Sequence, residues 1–308
     1  MSLNRSNFFL ILFFYLSLFS NLSLSDNQFL IGNHLNILEE IRKASYSIKG
    51  EKPTRINYSK LAESHRSYSD IITDGSDEIF IQARTAFQVV YSSSEIMIDS
   101  GMDEAIHNYF GFGRIEPYWQ SKNNEIQKAL KQASLIVITH EHADHIAGVL
   151  NSNIANHISN KTILTQAQAK TLISNPQMPE IKLDPEDLDK YLLVDYDKLM
   201  PLAPGIVLIK SPGHTDGHQM IYVSLESEKE YLFIGDIAWS IENIKQLKLR
   251  PEKTRQRINE DPKSLMNQMV WIKDLMDEQN IIIIPSHDNK LIEEYAMKGI
   301  IYEGLKIN

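Results

Sequence analysis

The stretch LIVITHEHADHIAGVL, residues 135–150, places three histidines and one aspartate within six positions, directly after an apolar run typical of a β-strand. These four residues are His140, His142, Asp144 and His145. His140 and His142 are two positions apart, so in an extended chain their side chains point the same way and can bind one ion together. Asp144 and His145 follow where the chain turns toward a predicted helix, HIAGVL, and we expect them to face a second ion beside the first.

Potential metal ligands also follow four other apolar segments of the chain. The segments are EIMID ending in Asp99, GIVLIKSPGH ending in His214, EYLFIGD ending in Asp236, and IIIIPSH ending in His287. Side chains at the carboxyl ends of neighbouring strands can converge on one point. We therefore expect His214 to complete the first group of ligands, His287 to complete the second, and Asp236 to bridge the two through its two oxygens. Each ion would keep an open position for water, as in a catalytic site.

The composition narrows the cellular setting and the class of partner. The first 25 residues comprise a short polar start with Arg5, an apolar run and small residues, which predicts a signal peptide and export to the periplasm or medium, with no stable membrane span after its removal. The alternative is an uncleaved anchor, which the apolar run of about 12 residues disfavours, since a spanning helix needs roughly 20. The mature chain would carry 30 basic and 40 acidic side chains, a surface unsuited to nucleic acid. No cysteine is present, so disulfides and thiolate ligands are excluded.

The rest of the chain predicts a single domain over residues 26–308, with residues 26–78 as an N-terminal extension or lid. Strands are expected at about 79–90 and at 95–99, followed by strands that alternate with helices. Asp261 before Pro262 is typical of a helix N-cap, and apolar residues then recur at helical spacing to Met276. Neither a GxSxG elbow nor a GxxxxGK phosphate loop occurs, which disfavours serine-nucleophile and nucleotide-binding functions.

The strings THEHADH, GHTDGH, GD and PSH, in that order between about residues 80 and 290, resemble the metallo-β-lactamase superfamily. The resemblance implies an α+β four-layer αββα sandwich with a binuclear metal site at one edge. It implies a first metal on His140, His142 and His214, a second on Asp144, His145 and His287, a bridging Asp236, and Asp99 behind the ligands. Two Zn²⁺ ions per chain are expected, although iron or manganese suits the same ligands.

The expected chemistry is hydrolysis of a small-molecule substrate, in which a metal-bridging hydroxide attacks. Asp144 and Asp236 are the candidate catalytic residues, since Asp144 can steer the hydroxide or shuttle its proton. His218, four residues after His214, is a candidate contact behind the ligands. Trp239, Tyr118 and Trp119 are candidate substrate-pocket residues.

The resemblance leaves several substrate classes open. A carboxylate at position 236 disfavours β-lactams. Only 21 residues follow His287, so we expect no helical substrate domain of the kind that glyoxalase-II-like thioesterases append. Lactonases similar to the acyl-homoserine-lactone enzymes share the ligand set, but commonly place a tyrosine where this chain has Trp239. We therefore expect hydrolysis of small esters or lactones. The alternatives are β-lactam or thioester hydrolysis, an iron-dependent persulfide-type oxidation, and metal binding without turnover. The oligomeric state is not predicted.

Overall fold

The computed structural model describes residues 34–307. The predicted signal peptide, residues 1–25, lies outside this range. Within it, no helix has both the length and the apolar composition that a membrane crossing requires.

Two β-sheets form the centre of the molecule. The first has seven strands, in the order β12-β1-β2-β3-β4-β5-β6. Their bounds are β1 Arg55–Ser67, β2 Ile79–Val90, β3 Glu95–Ile98, β4 Leu135–Val137, β5 Thr162–Thr165, β6 Leu192–Val194 and β12 Tyr302–Glu303. The second has five strands, in the order β11-β10-β9-β8-β7. Their bounds are β7 Leu199–Ala203, β8 Ile206–Lys210, β9 Gln219–Ser224, β10 Glu230–Gly235 and β11 Ile282–Pro285. The strands expected at 79–90 and 95–99 are therefore confirmed as β2 and β3.

Helices cover the outer face of each sheet. In chain order they are α1 His34–Ser45, α2 Tyr68–Ile71, α3 Glu104–Phe110, α4 Gln120–Gln132, α5 Ala143–Leu150, α6 Ala155–Ile158, α7 Gln166–Ser174, α8 Ile241–Gln246, α9 Glu252–Ile258, α10 Pro262–Gln279 and α11 Asn289–Met297. Short 3₁₀ turns occupy Ser159–Lys161, Pro179–Ile181 and Pro185–Lys190. The order helix, sheet, sheet, helix is the four-layer sandwich that the sequence predicts.

Three buried apolar clusters hold these layers together. The central one lies between the two sheets, where the rings of Phe87 and Phe233 meet edge to face with centroids 5.1 Å apart. A second joins the seven-stranded sheet to α3, α4 and α5, and a third joins the five-stranded sheet to α1 and α10. Burial of these side chains is the main favourable contribution to folding.

Residues 34–78 are built into both halves of the sandwich and do not form an appended extension or lid. Strand β1 pairs antiparallel with β2 from Arg55↔Val90 to Ser67↔Ile79. Helix α1 buries Ile37, Leu38 and Ile41 in the cluster of the five-stranded sheet.

Helix α10 begins as the sequence predicts. The Asp261 carboxylate accepts hydrogen bonds from the backbone N–H groups of Lys263 and Ser264, at 2.9 and 3.2 Å, and Pro262 occupies the first turn. The helix buries Leu265 and Met269 against the sheet, but leaves Val270 40% exposed. The apolar stripe is therefore narrower than the run of residues to Met276 indicates.

Candidate metal centre and its cavity

Loops at the ends of strands from both sheets meet at one edge of the sandwich. Asp99 directly follows β3, and His140 comes three residues after β4, both in the seven-stranded sheet. His214, Asp236 and His287 follow β8, β10 and β11 of the other sheet. Because both sheets present these ends to the same edge, residues almost 200 positions apart in the chain become neighbours.

Helix α5 supplies the remaining predicted ligands. His142 is the residue before the helix, and Asp144 and His145 lie in its first turn. The backbone N–H of Gly148 donates to Gly101 O at 2.8 Å, and the N–H of Ser100 donates to His145 O at 2.8 Å. These two bonds fix the first turn of α5 against the loop after β3.

The seven predicted ligands form two adjacent groups. One contains His140, His142, His214 and Asp236, and the other contains Asp144, His145 and His287; within each group the candidate ligand atoms lie within 4.8 Å of one another. This grouping matches the two sets that the sequence predicts. All of these residues except His142 are buried.

Asp236 lies between the two groups. Its Oδ2 is 3.3 Å from His214 Nε2, and its Oδ1 is 3.1 Å from His287 Nε2. One carboxylate oxygen therefore faces each group, as a bridging ligand requires.

Three of the imidazoles, those of His145, His214 and His287, direct one nitrogen toward the other ligands and contact an oxygen with the other. The outward nitrogens contact Asp99 Oδ2 at 2.8 Å (His145 Nδ1), Glu260 Oε1 at 2.6 Å (His214 Nδ1) and Ala83 O at 2.7 Å (His287 Nδ1). Such partners fix the tautomer and the ring orientation of a metal-binding histidine. The inward nitrogens come as close as 2.9 Å, between His214 Nε2 and His142 Nδ1. Two nitrogens with lone pairs directed at each other are suited to a shared cation.

The pKa values of the cluster agree with a site for cations. Burial, together with neighbouring imidazoles, lowers the pKa of His142 to about 3 and holds that of His140 well below its usual range, so both are neutral ligands at pH 7. For His145, burial lowers the pKa, but the carboxylates of Asp144, Asp99 and Asp236 outweigh it and raise the pKa to about 9. The second group therefore favours positive charge. These donors fit two divalent metal ions.

Asp99 and His218 lie behind the predicted ligands. Asp99 Oδ1 accepts from the backbone N–H of Thr139 at 2.7 Å, in addition to the contact of its other oxygen with His145. His218 Nε2 accepts from the backbone N–H of Asp236 at 3.1 Å, and its Nδ1 lies 2.8 Å from Ser211 Oγ. His218 therefore positions the bridging residue through the backbone.

Two functional residues carry no signal in the sequence. Glu260 binds His214 and also accepts two hydrogen bonds from Arg250, one of them at 3.1 Å from Nε. Arg250 Nη2 also donates to Asp236 O at 2.9 Å, and its guanidinium lies 4.8 Å from the ring of Trp239. Both residues lie in loops that border α9, outside any motif, so only the fold brings them to the metal centre.

The three candidate pocket residues lie in different places. Trp239 lines the cavity over the metal centre, but its Nε1 donates to Asp236 Oδ2 at 2.7 Å. Tyr118 and Trp119 do not line this cavity. Tyr118 donates to Met102 O at 3.3 Å and stacks on His107, and Trp119 precedes α4 with its ring 5.5 Å from Lys60 Nζ. Both residues lie beside β1, where Tyr118 pairs with Ala62 and the backbone N–H of Trp119 donates to Leu61 O at 2.8 Å.

The cavity itself has a volume of about 1560 Å³ and reaches His142, Asp144, His214 and Asp236 at its floor. One wall is aromatic and comprises Tyr109, Phe110 and Phe112. Helix α9 and residues 212–216 form much of the remaining lining. Pockets for drug-sized molecules are usually smaller than this cavity. A small-molecule substrate therefore fits in it beside the predicted metal-binding residues.

Comparison with known proteins gives a consistent assignment. A family model described as the metallo-beta-lactamase superfamily matches residues 85–287. The chain is similar to N-acyl homoserine lactonase AiiA of Bacillus thuringiensis subsp. kurstaki, with 23% identity over 207 residues, 63% of this chain and 76% of the relative. It is also similar to an N-acyl homoserine lactonase of Bacillus cereus, with 26% identity over 162 residues, 48% of this chain and 61% of the relative.

Two solved structures share the fold. A quorum-quenching N-acyl homoserine lactone lactonase aligns with a TM-score of 0.62 and 16% identity, covering 80% of this chain and 97% of the other. A probable metal-dependent hydrolase from Staphylococcus aureus aligns with a TM-score of 0.59 and 16% identity, covering 78% and 91%. With the sandwich fold, the two groups of ligands and the family match over residues 85–287, the chain belongs to the metallo-β-lactamase superfamily of metal-dependent hydrolases.

Proposed function

We propose that this hydrolase acts on small esters or lactones with two zinc ions as its cofactor. The observation that carries the proposal is the position of Asp236, whose two oxygens face the two groups of ligands at 3.3 and 3.1 Å. When bound there, two divalent ions supply a water acidic enough to act as a hydroxide nucleophile near neutral pH, and a Lewis acid for the substrate carbonyl. The similarity to N-acyl homoserine lactonases supports a lactone as one substrate.

The residues of the chain divide the remaining work. His140, His142 and His214 would hold one ion, Asp144, His145 and His287 the other, with Asp236 shared. Asp144 lies on the floor of the cavity, so its carboxylate is placed to orient the attacking water and to accept its proton.

The aromatic wall of Tyr109, Phe110 and Phe112 offers apolar contact for an acyl chain. Trp239 cannot donate to the substrate carbonyl while its single N–H binds Asp236, so it serves the metal centre and not the substrate.

The test compares initial rates on four substrates: a lactone, an aryl ester, a cephalosporin and a glutathione thioester. Zinc-loaded protein is assayed beside His142→Ala, which removes a predicted ligand. Faster turnover of the lactone or ester, lost in the variant, supports the proposal. Faster turnover of the cephalosporin or the thioester would make that compound's class, and not esters or lactones, the proposed substrate. Equal rates in both proteins on all four would overturn hydrolysis by this centre, and one iron per chain with oxygen consumption would overturn the two-zinc assignment.

We also propose that the protein is exported, because residues 1–25 have the composition of a signal peptide. Cell fractionation of the full-length chain in a Gram-negative host, followed by N-terminal sequencing, tests this. Periplasmic protein that begins near Asp26 supports export, and cytoplasmic protein that retains Met1 contradicts it.

A further inference from the structure

Arg84 is an arginine on the floor of the cavity that neither the motif nor the ligand set explains. It lies on β2 and is only 6% exposed. Its Nη1 donates to Asp144 Oδ2, and its Nη2 lies 3.4 Å from Ser64 Oγ, at the limit of a hydrogen bond. It lines the cavity together with Asp144 and His142.

The guanidinium of Arg84 has donors to spare. An arginine carries five N–H groups, and the contacts with Asp144 and Ser64 use only two of them. The Nε atom is buried and has no hydrogen-bond partner among the described residues. Arg84 lines the cavity, so an acceptor on a bound molecule can pair with the N–H groups of Nη1 and Nη2 that Asp144 and Ser64 leave free.

The walls of the cavity are also more basic than the protein as a whole. The chain has a formal net charge of −9, yet Arg66, Arg114, Lys253 and Arg257 all line this cavity. The ring of Phe112 lies between the guanidinium groups of Arg66 and Arg257, at 5.8 and 5.3 Å, so positive charge is present on both sides of it.

Several acidic side chains of the cavity are occupied by other contacts. Asp261 caps α10, and Glu141 accepts from Thr215 Oγ1 at 2.8 Å. The lining holds seven basic and six acidic side chains, so its charge is close to balanced in a chain whose formal net charge is −9.

We propose that Arg84 is a specificity-determining residue that binds a carboxylate of the substrate, so that the preferred esters or lactones carry a carboxylate close to the scissile bond. This inference rests on the proposed hydrolase function and narrows its substrate class. The planar, forked guanidinium matches the two oxygens of a carboxylate, and a charge-assisted pair of this kind is roughly twice as strong as a neutral hydrogen bond.

A purely structural role for Arg84 predicts a different result. If Arg84 served only to hold Asp144, its loss would weaken zinc binding and lower the turnover of every substrate alike. The carboxylate role predicts a change in selectivity between charged and neutral substrates.

The experiment uses two aryl esters of matched shape: mono-4-nitrophenyl glutarate, which ends in a carboxylate, and 4-nitrophenyl pentanoate, which ends in a methyl group. We expect zinc-loaded wild-type protein to favour the glutarate ester in kcat/KM by about tenfold or more. Arg84→Gln should reduce this ratio by about tenfold, and Arg84→Lys, which keeps the charge without the fork, should give an intermediate ratio. Arg55→Gln is the control, because Arg55 is exposed and lies 6.0 Å from the ring of Tyr302, outside the cavity.

Two measurements independent of turnover accompany the assay. Zinc affinity is measured by chelator competition, and glutarate itself is titrated calorimetrically into the zinc-loaded proteins. Glutarate binding that Arg84→Gln weakens by about tenfold when both proteins are saturated with zinc supports the proposal.

The proposal is overturned if the wild-type protein hydrolyses the two esters at equal rates, or if Arg84→Gln leaves their kcat/KM ratio unchanged. It is also overturned if Arg84→Gln loses zinc and both activities in parallel. If wild-type protein hydrolyses neither ester, the proposed ester hydrolysis fails, and the glutarate titration alone decides the role of Arg84. If glutarate does not bind, or binds wild type and Arg84→Gln equally, the result counts against the carboxylate-binding role of Arg84. If Arg84→Gln does not fold, the same comparisons are made with Arg84→Lys, for which an unchanged ratio and unchanged glutarate binding overturn the proposal.

Discussion

The Nδ1 atom of His214 lies 2.6 Å from Glu260 Oε1, across 46 positions of the chain, and the same carboxylate accepts two hydrogen bonds from Arg250. Both Glu260 and Arg250 have buried side chains. The pair therefore holds His214 with its other nitrogen directed at the first group of ligands. Arg250 also donates to Asp236 O, so one buried ion pair supports a ligand of the first group and the residue between the groups.

Glu260→Gln should weaken zinc binding to the first group. An amide is a poorer partner for the His214 N–H, and loss of such a partner typically costs about 10–100-fold in metal affinity. Chelator competition measures this directly. Glu252→Gln on exposed α9 is the control and should bind zinc as wild type does. Unchanged zinc affinity in Glu260→Gln would show that the ring of His214 needs no partner.

Trp239→Phe should affect the metal centre more than substrate binding. The substitution removes the N–H that donates to Asp236 Oδ2 at 2.7 Å and leaves that buried oxygen with one partner fewer, at a cost of roughly 1–3 kcal/mol. We expect weaker zinc binding and a lower kcat, with KM for the aryl ester changed by less than about twofold. A higher KM with normal zinc affinity would instead indicate that the indole N–H of Trp239 donates a hydrogen bond to the substrate.

Gly148→Ala should destabilise the protein through α5. A Cβ at this position would overlap the carbonyl oxygen of Ser100, which is backbone and cannot move aside without displacing the loop after β3. We expect a loss of about 1–3 kcal/mol in the free energy of unfolding, together with weaker metal binding, since α5 carries Asp144 and His145. Urea denaturation of the metal-free protein measures the first effect. Asn151→Ala, after the end of the same helix, should change stability by less than about 0.5 kcal/mol.

Arg42→Gln should destabilise the protein in a pH-dependent way. Arg42 of α1 binds both carboxylate oxygens of Glu230 on β10, at 2.8 and 2.6 Å. Burial raises the pKa of Glu230, but the hydrogen bonds from Arg42 and Tyr222 outweigh it and lower the pKa below the ordinary 4.5. A lowered folded-state pKa contributes stability above pH 4.5 that is lost as the pH falls through the folded value.

The difference in stability between wild type and Arg42→Gln should therefore be roughly 1 kcal/mol at pH 7 and should shrink below pH 4.5. Urea denaturation of the metal-free proteins at a series of pH values measures it. The metal-free form is used because metal ligands titrate as well. A difference that is constant with pH would show that the ion pair does not carry the effect.

The sequence predicts the ligands of this centre far better than their supports. His140, His142, Asp144 and His145 share one short motif, and His214, Asp236 and His287 each follow an apolar strand, so strand topology alone brings them together. No periodicity or motif marks the supporting and cavity residues, whose contacts depend on where loops and strands pack. These are Arg84, Arg250 and Glu260.

The same limit explains the errors around the cavity. Tyr118 and Trp119 are aromatic and close to the motif in sequence, but the bridge between Ala62 and Tyr118 places them beside β1. Likewise, the segment before residue 79 has no motif, although β1 forms the most extensive pairing of its sheet.

Removal of metal should lower the thermal stability of the protein. Without cations, the carboxylates of Asp144 and Asp236 are buried beside several imidazoles, with oxygens 3.4 and 3.1 Å from His287 Nε2. Ions that bind only the folded chain stabilise it by about 4 kcal/mol when the free metal concentration is about 1,000 times Kd. For a chain of this size that corresponds to a rise in Tm on the order of 10 °C. We expect excess chelator to lower Tm by this amount and added Zn²⁺ to restore it, with Tm rising as the logarithm of free zinc. His142→Ala should flatten this dependence, whereas a Tm that ignores both chelator and zinc would show that the two groups of residues hold no metal.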